Sequence, residues 1–313
     1  MALRNRALQV LAVTVVFGIA ALAARAGIVD DVRVQVGQNS YSAAESELRA
    51  YRAKHGVTPE YLEAFSWVAR GAAAMKQWSQ ATNYARETRA LSEQLLVRQK
   101  LDSEPHLPIA LGAAYEVQAQ ALAATGKRPE ATALLRAALA KYGSTSIRAR
   151  LQKNLNLISL VGQPAPALQA TQYLGAKPPT LTSLKGSPVL LFFWAHWCGD
   201  CKAEVPIIAR LNHEFASSGL TVIGPTQFYG YAAQGNDATP VQERAYIESV
   251  RQRYYASLPD MPVPLSQQNF NTYGASTTPT LVLLNRAGQV AMYHPGAMPY
   301  EELRAELQKA ASR

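Results

Sequence analysis

Two cysteines placed directly after an apolar segment are the most constraining feature of this chain. The segment Pro188–Trp194 (PVLLFFW) is followed after three residues by Cys198, and Cys201 comes three positions later. Seven consecutive apolar residues predict a strand that is buried on both faces, as in the centre of a sheet. The following residues, up to Phe215, have a helical pattern. A central strand that leads into a helix predicts an α/β domain with both cysteines at the helix start.

This position has a chemical consequence for the two cysteines. Free backbone N–H groups and the helix dipole stabilise a thiolate at the start of a helix, which lowers the pKa of the first cysteine, Cys198. Cys201 lies one turn deeper, where it can attack a mixed disulfide on Cys198 and release the product. The pattern therefore predicts thiol–disulfide chemistry.

Three other interpretations of the cysteine pair are less consistent with the sequence. Haem attachment requires a histidine directly after the second cysteine, where this chain has Lys202. A zinc or copper site needs further ligands, and no other cysteine exists in the 313 residues. A structural disulfide across four residues would restrain almost nothing, because the loop that it closes is so short.

The rest of residues 161–313 completes the α/β pattern. A Pro/Gly-rich boundary, Val161–Pro166, precedes it. Alternating strands and helices with a closing hairpin predict a mixed central sheet flanked by helices on both faces. The predicted strands, besides 188–194, are 220–224, 263–265, 280–284 and 289–293, and the predicted helices are 198–215, 240–256, 267–273 and 300–311.

Residues 38–158 have a different composition, rich in Ala, Leu, Gln, Glu and Arg, which predicts an all-α domain. An internal repeat with an offset of 50 residues aligns Phe65 with Tyr115 and Ala81 with Ala131. The second unit resembles a tetratricopeptide repeat, and such arrays bind partner segments on a concave face. A helical cap that only supports the second domain is the alternative. The predicted helices are 41–54, 59–76, 78–98, 107–125, 128–141 and 144–158.

Within residues 161–313 the motifs resemble a known family. The run Trp194–Pro206 (WAHWCGDCKAEVP), the later Thr278-Pro279-Thr280 and the turn 285–288 are similar to the TlpA/ResA-like branch of thioredoxin-fold thiol–disulfide oxidoreductases. The resemblance implies a thioredoxin-like fold, an extracytoplasmic location and dithiol–disulfide exchange without a metal or further cofactor. It also implies protein thiol or disulfide substrates and an upstream electron donor.

The resemblance also assigns roles to individual residues. It makes Cys198 the attacking cysteine and Cys201 the resolving one. Pro279 falls at the cis-proline of the family, so that Thr278 faces the disulfide. Glu204 matches an acidic residue that assists proton transfer, and its spacing of three from Cys201 places both on one helix face. An ordinary exposed helix position is the alternative for Glu204.

Four neighbours of the cysteines complete the candidate site. Trp194 and Trp197 are both expected to pack structurally, and the alternative for Trp197, which adjoins the thiol, is a place in the substrate-docking surface. His196 either pairs with the Cys198 thiolate or is a solvated loop residue. Asp200 places a negative charge beside the thiolate, which opposes its stabilisation and favours a reductant or isomerase over an oxidant.

Residues 1–26 have the pattern of an export signal. Arg4 and Arg6 precede the apolar stretch 7–24, and Ala24-Arg25-Ala26 forms a small-x-small exit. The stretch is also long enough to span a bilayer, so either cleavage or an anchor at 7–24 is expected. Both place the remainder outside the cytoplasm, in the periplasm if the organism is Gram-negative.

Other function classes fit less well. The net charge is +9 without a run of five or six basic residues, so nucleic-acid binding is not expected. A peroxiredoxin-type peroxidase needs Thr and Pro shortly before its cysteine, and Ala195-His196-Trp197 contains neither. The alternative from another class is a non-catalytic adaptor whose helical array binds partners.

Overall fold

The computed structural model describes residues 27–312, and the predicted export signal at 1–26 lies outside these residues. The first part of the described chain is all helical, as expected. Its helices are α1 (Ile28–Gly37), α2 (Tyr41–His55), α3 (Pro59–Ala74), α4 (Trp78–Leu95), α5 (His106–Ala124), α6 (Arg128–Tyr142) and α7 (Arg148–Ser159). The six predicted helices correspond to α2–α7, with boundaries that differ by at most four residues.

Helix α1 begins at Ile28, ten residues before the predicted start of the helical domain. Its sequence, IVDDVRVQVG, alternates valine with polar residues near its end and so shows no clear helical signal. As a helix it buries Ile28, Val32 and Val36, which are spaced four apart and pack in the core of the helical domain. A Cβ atom on Gly71 of α3 would lie 2.4 Å from Val36, so this glycine allows α1 to approach α3 closely.

The internal repeat corresponds to equivalent packing in two helix pairs, α3–α4 and α5–α6. Phe65 and Tyr115 are both buried in the same core, and Ala81 and Ala131 are both completely buried. A small residue is needed at positions 81 and 131 because neighbouring helices approach closely there. The resemblance to a tetratricopeptide repeat stays a prediction.

The second part of the described chain is the α/β domain. Its elements are β1 (Tyr173–Leu174), β2 (Val189–Phe193), α8 (Gly199–Glu214), β3 (Thr221–Ile223), α9 (Pro240–Tyr254), β4 (Val263–Pro264), α10 (Gln267–Tyr273), β5 (Thr280–Leu284), β6 (Val290–Pro295) and α11 (Tyr300–Ala311). The main sheet has the order β3-β2-β5-β6, with β2 parallel to β3 and antiparallel to β5. β4 pairs with β1 in a separate two-stranded sheet, and β1 was not predicted.

Strand β2 is central and fully buried, as its apolar sequence predicts. Successive side chains point to opposite faces, so Leu190 and Phe192 enter one core while Val189, Leu191 and Phe193 enter the other. Helices α8, α9 and α11 cover the first face, and α10 covers the second. The mixed sheet with helices on both faces confirms the predicted thioredoxin-like fold preceded by an all-α domain.

The two domains are in direct contact through α7 and α10. Gly274, which ends α10, has φ +62°, and a Cβ atom there would lie 2.2 Å from the backbone nitrogen of Lys153 on α7. Asn156 of α7 donates a hydrogen bond to the carbonyl of Thr272 at 3.4 Å. Leu160, at the end of α7, is buried in the core beneath the sheet of the α/β domain. Helix α7 also contacts β6, so this junction fixes the helical domain beside that edge strand of the main sheet.

Candidate active site

The cysteine pair lies where β2 ends and α8 begins, and the two residues form a disulfide. Cys198 caps the helix, and its sulfur accepts a hydrogen bond from the backbone N–H of Cys201 at 3.0 Å. Because this N–H belongs to the unpaired first turn of α8, it also stabilises a negative charge on Cys198 after reduction. Cys198 is 3% exposed and Cys201 is 0% exposed. The first cysteine is therefore less open to solvent than a helix-start position suggests.

The loop before β5 lies against the disulfide. The Thr278–Pro279 peptide bond is cis, as the resemblance implies. The carbonyl oxygen of Thr278 lies 3.4 Å from the Cys198 sulfur. The sulfur carries no proton in the disulfide, so this contact becomes a hydrogen bond when Cys198 is a thiol. The contact thus joins the cysteine that opens the helix to the residue before the cis-proline.

Glu204 is buried on α8, one turn beyond Cys201. It is 2% exposed, so the alternative of an ordinary exposed position is wrong. One carboxylate oxygen accepts a hydrogen bond from the backbone N–H of Met298 at 3.1 Å. Burial raises the pKa of Glu204, the Met298 N–H opposes this shift, and the charge of Asp200 adds to it. A carboxyl group with a raised pKa that shares a helix face with Cys201 is suited to proton transfer.

His196 is part of a buried pair that the sequence analysis did not find. Its Nε2 lies 3.2 Å from Oε1 of Glu243 in α9, and both side chains are almost completely buried. His196 is completely buried, so solvation in a loop is wrong. Pairing with the Cys198 thiolate stays a prediction, because Cys198 is part of a disulfide here. Burial lowers the pKa of His196, and the hydrogen bond and charge of Glu243 act in the opposite direction.

The same carboxylate orders the loop that follows β3. Glu243 accepts the backbone N–H groups of Tyr229 at 2.6 Å and Gly230 at 2.9 Å. The rings of Tyr229, Tyr231 and Tyr246 contact the His196 ring edge to face. The Tyr/Gly-rich character of this segment was visible in the sequence. Its contact with His196 was not, because the two partners lie 47 residues apart.

The two tryptophans of the motif differ in exposure. Trp194 is fully buried and donates its indole N–H to the carbonyl of Gly224 at 2.9 Å, so it packs in the core as predicted. Trp197 is 49% exposed and contacts the Tyr229 ring edge to face. It is therefore available to a partner beside the disulfide. Its docking role stays a prediction.

Of the charged residues next to the cysteines, Asp200 is at the surface and Lys202 is half-buried. Asp200 is exposed and, within residues 27–312, has no cation within 4 Å. Lys202 lies instead with its ammonium group 4.7 Å from the centre of the Tyr254 ring. In the part of the chain that the structure describes, no three His, Cys, Asp or Glu side chains are grouped to hold a metal ion. The expectation that the site needs no metal stays a prediction.

These features define a class of protein. The cysteine pair opens the helix that follows the central strand, and it lies opposite a cis-proline. On this sheet topology, such a pair is the site of a thioredoxin-fold thiol–disulfide oxidoreductase. The α/β domain resembles the TlpA/ResA-like type, as the sequence motifs indicate.

Comparison with known proteins gives the same class. Residues 161–226 match the AhpC/TSA family. The thiol–disulfide oxidoreductase ResA of Bacillus anthracis is 28% identical over 149 residues, which cover 48% of this chain and 78% of ResA. The thioredoxin-like protein YneN of Bacillus subtilis is 27% identical over 147 residues, which cover 47% of this chain and 78% of YneN.

Solved structures with a related domain cover about half of this chain. A thioredoxin-family thiol:disulfide interchange protein from Chlorobium tepidum is 20% identical with a TM-score of 0.36, and covers 48% of this chain and 96% of its own. The thioredoxin domain of a thiol–disulfide oxidoreductase from Bacteroides vulgatus is 20% identical with a TM-score of 0.35, and has the same two coverages. None of the helices within residues 27–312 is both long and apolar enough to cross a membrane.

Proposed function

We propose that this protein is an extracytoplasmic thiol–disulfide oxidoreductase that reduces or isomerises disulfides of partner proteins. The observation that carries the proposal is the environment of the Cys198 sulfur. It accepts the Cys201 N–H at the start of α8 and lies 3.4 Å from the Thr278 carbonyl. The N–H stabilises a thiolate on Cys198, and the carbonyl accepts a hydrogen bond when Cys198 is a thiol.

The proposed reaction has two exchange steps. The Cys198 thiolate attacks one sulfur of a substrate disulfide, which forms a mixed disulfide and releases the other substrate sulfur as a thiolate. The Cys201 thiolate then attacks the Cys198 sulfur, which forms the Cys198–Cys201 disulfide and releases the second substrate thiolate. Two electrons pass to the substrate, and each released thiolate takes up a proton. An upstream dithiol donor returns two electrons and two protons to the cysteine pair, so no further cofactor is required.

Glu204 is proposed to move the proton of Cys201. The Cys201 thiol must lose its proton before it attacks, and it is 0% exposed, so a water molecule has little access to it. The raised pKa of Glu204, caused chiefly by burial, brings this carboxyl group closer to the range in which it can accept and return a proton near neutral pH.

The direction of electron flow is proposed from Asp200. A strong oxidant of this fold requires a very stable thiolate. Asp200 follows Cys198 by two positions, and its exposed carboxylate has no cation within 4 Å in residues 27–312. Its negative charge therefore destabilises the Cys198 thiolate. We therefore expect a reduction potential between about −270 and −180 mV, the range of thioredoxin and disulfide isomerase. A value near −120 mV would indicate an oxidant.

Turnover with insulin tests the activity. Dithiothreitol-driven reduction of insulin should be fast with the unaltered protein and should fall to the uncatalysed rate with Cys198→Ser. The adaptor alternative expects equal rates for the two proteins, because it gives the cysteines no catalytic role. Equal rates would therefore reject the proposed activity.

The location is proposed from residues 1–26, whose basic, apolar and small segments are typical of an export signal. A fusion of residues 1–40 to alkaline phosphatase should be active in a bacterial host, because this enzyme needs an oxidising compartment. The same fusion without residues 2–26 should be inactive. Activity of the shortened fusion would contradict an extracytoplasmic location.

A further inference from the structure

A cleft of about 310 Å³ lies between the two domains, next to the disulfide. One wall belongs to the helical domain, at the connection between α6 and α7. The other wall belongs to the α/β domain and includes the residue before Cys198 and the residue before the cis-proline. The wall residues used below are Ser146 and Arg148 on the first side, and Trp197, Gln227 and Thr278 on the second.

Two polar atoms in the second wall lack partners. The amide oxygen of Gln227 and the hydroxyl of Thr278 are buried and, among the described residues, make no hydrogen bond. Buried polar groups normally have partners, because an unpaired group loses its hydration without compensation. Both residues line the cleft beside the exposed Trp197 ring, so a rotation of each side chain would bring its polar atom to an N–H or C=O group of an extended peptide. These atoms indicate a peptide segment as the occupant.

The charge of the cleft comes from the helical domain. Arg148 is the only charged residue that lines the cleft in the described structure. Its guanidinium donates to the carbonyl of Gly143 at 3.0 Å and has no carboxylate within 4 Å in residues 27–312. The nearby carboxylate of Asp102 is engaged by the backbone and hydroxyl of Ser146. The guanidinium is therefore free to pair with an acidic group in the cleft.

We propose that the helical domain forms one wall of the substrate cleft and that Arg148 selects protein segments with a carboxylate near the exchanging cysteine. This inference rests on the proposed function, and the exchange steps are those given above. It assigns the helical domain a role in substrate choice. The partner is an extended, acidic, cysteine-bearing segment of another protein.

Single-turnover kinetics with two peptides tests the inference. Each peptide carries one cysteine as a mixed disulfide with 2-nitro-5-thiobenzoate, and two aspartates or two lysines flank the cysteine. Attack of the Cys198 thiolate on the peptide sulfur releases the coloured thiobenzoate anion. The reduced protein should react with the acidic peptide about three- to tenfold faster than with the basic one, and the difference should shrink as salt is added.

Charge reversal separates the cleft from the net charge of the protein. Arg148→Glu should reverse the preference, and Arg148→Gln, which retains a donor for the Gly143 carbonyl, should abolish it. Arg136→Glu is the matched control, because Arg136 is an exposed residue of α6 outside the cleft and the change in net charge is the same. This control should keep the preference for the acidic peptide.

The outcomes distinguish the inference from the proposed function. The neutral disulfide 2,2′-dithiodipyridine should react with all variants at similar rates, which shows that they fold and that Cys198 is reactive. If the unaltered protein reacts with 2,2′-dithiodipyridine but reacts equally fast with both peptides, the role of Arg148 is overturned. An unchanged preference for the acidic peptide in Arg148→Glu would also overturn it. Absence of reaction with all three disulfides would instead overturn the proposed function.

Discussion

Gly274 is the residue at which a single methyl group should have the largest effect on the junction between the domains. It adopts φ +62° and ψ +35° at the end of α10, a left-handed conformation that is unfavourable for residues with a side chain. A Cβ atom would lie 2.2 Å from the nitrogen and 2.6 Å from the Cα atom of Lys153. Both are backbone atoms of α7 and cannot move away by a rotamer change. Gly274→Ala must therefore displace α7 from α10.

The two costs of this substitution can be separated. The left-handed backbone costs about 1–2 kcal/mol for alanine. The overlap, about 1.2 Å short of an ordinary contact at 3.4 Å, adds about 1–3 kcal/mol if the helices shift to relieve it. Gly126→Ala is the control for the first cost, because Gly126 has φ +82° and its Cβ atom would meet nothing within 4 Å. The free energy of unfolding should therefore fall by about 1–3 kcal/mol more in Gly274→Ala than in Gly126→Ala.

Urea unfolding of both variants measures this difference, and protease cleavage near residues 160–172 reports whether the junction has opened. In Gly274→Ala we expect a lower urea midpoint, faster cleavage and a smaller preference for the acidic peptide, because one wall of the cleft moves away. Equal midpoints and equal cleavage in the two variants would refute the reasoning, since the close contact between α7 and α10 would then not hold the domains together.

Three substitutions near the cysteines give further predictions. Burial raises the pKa of Glu204 above its ordinary 4.5, so the folded state holds the proton more tightly and loses stability as the pH rises from 4.5 through the folded-state pKa. Glu204→Gln should therefore melt at a higher temperature than the unaltered protein at pH 7 and at the same temperature near pH 3.5. Its rate of insulin reduction should fall about tenfold or more, and a faster or equal rate would contradict proton transfer by Glu204. Glu243→Gln places an amide N–H₂ group against N–H donors, so it should lower the free energy of unfolding by about 1–3 kcal/mol in a urea titration. An unchanged urea midpoint would mean that the buried pair with His196 contributes nothing to stability. Asp200→Asn should raise the reduction potential, measured against glutathione, by about 10–30 mV because a repulsive charge beside the thiolate is removed; an unchanged or more negative potential would contradict the assignment as a reductant.

Local sequence signals predicted most of the elements around the cysteines. Strand β5 has the predicted bounds, and β2 is central because a run of apolar residues can be buried only when both faces of the sheet are covered. Helix α1 was missed because its alternating valines resemble a strand and its helical face is evident only when it packs on α3. The short strand β1 has two residues and depends on pairing with β4, which no local pattern reveals.

Spacing alone predicted the candidate site only where its residues are close in the sequence, whereas the more distant Thr278 and Pro279 were placed there by the family resemblance. Cys198, Cys201 and Glu204 follow one another on a single helix, so their spacing places them together. The pairing of His196 with Glu243 spans 47 residues and depends on how α9 packs against the loop after β3. The contact of Arg148 with the cleft depends in addition on the docking of two domains, which is fixed by Gly274 and its neighbours.

The central claim is that Cys198 attacks and Cys201 resolves. Mass spectrometry of Cys201→Ser after incubation with oxidised insulin tests it most directly, with Cys198→Ser as the matched variant. Cys201→Ser should accumulate a mixed disulfide between Cys198 and an insulin chain that dithiothreitol releases, because the second exchange step is blocked. Cys198→Ser should form almost none, because Cys201 lies one turn inside α8 and lacks the helix-start position at which a backbone N–H stabilises the Cys198 thiolate. An equal or larger yield on Cys201 in Cys198→Ser would reverse the roles and contradict the proposed mechanism.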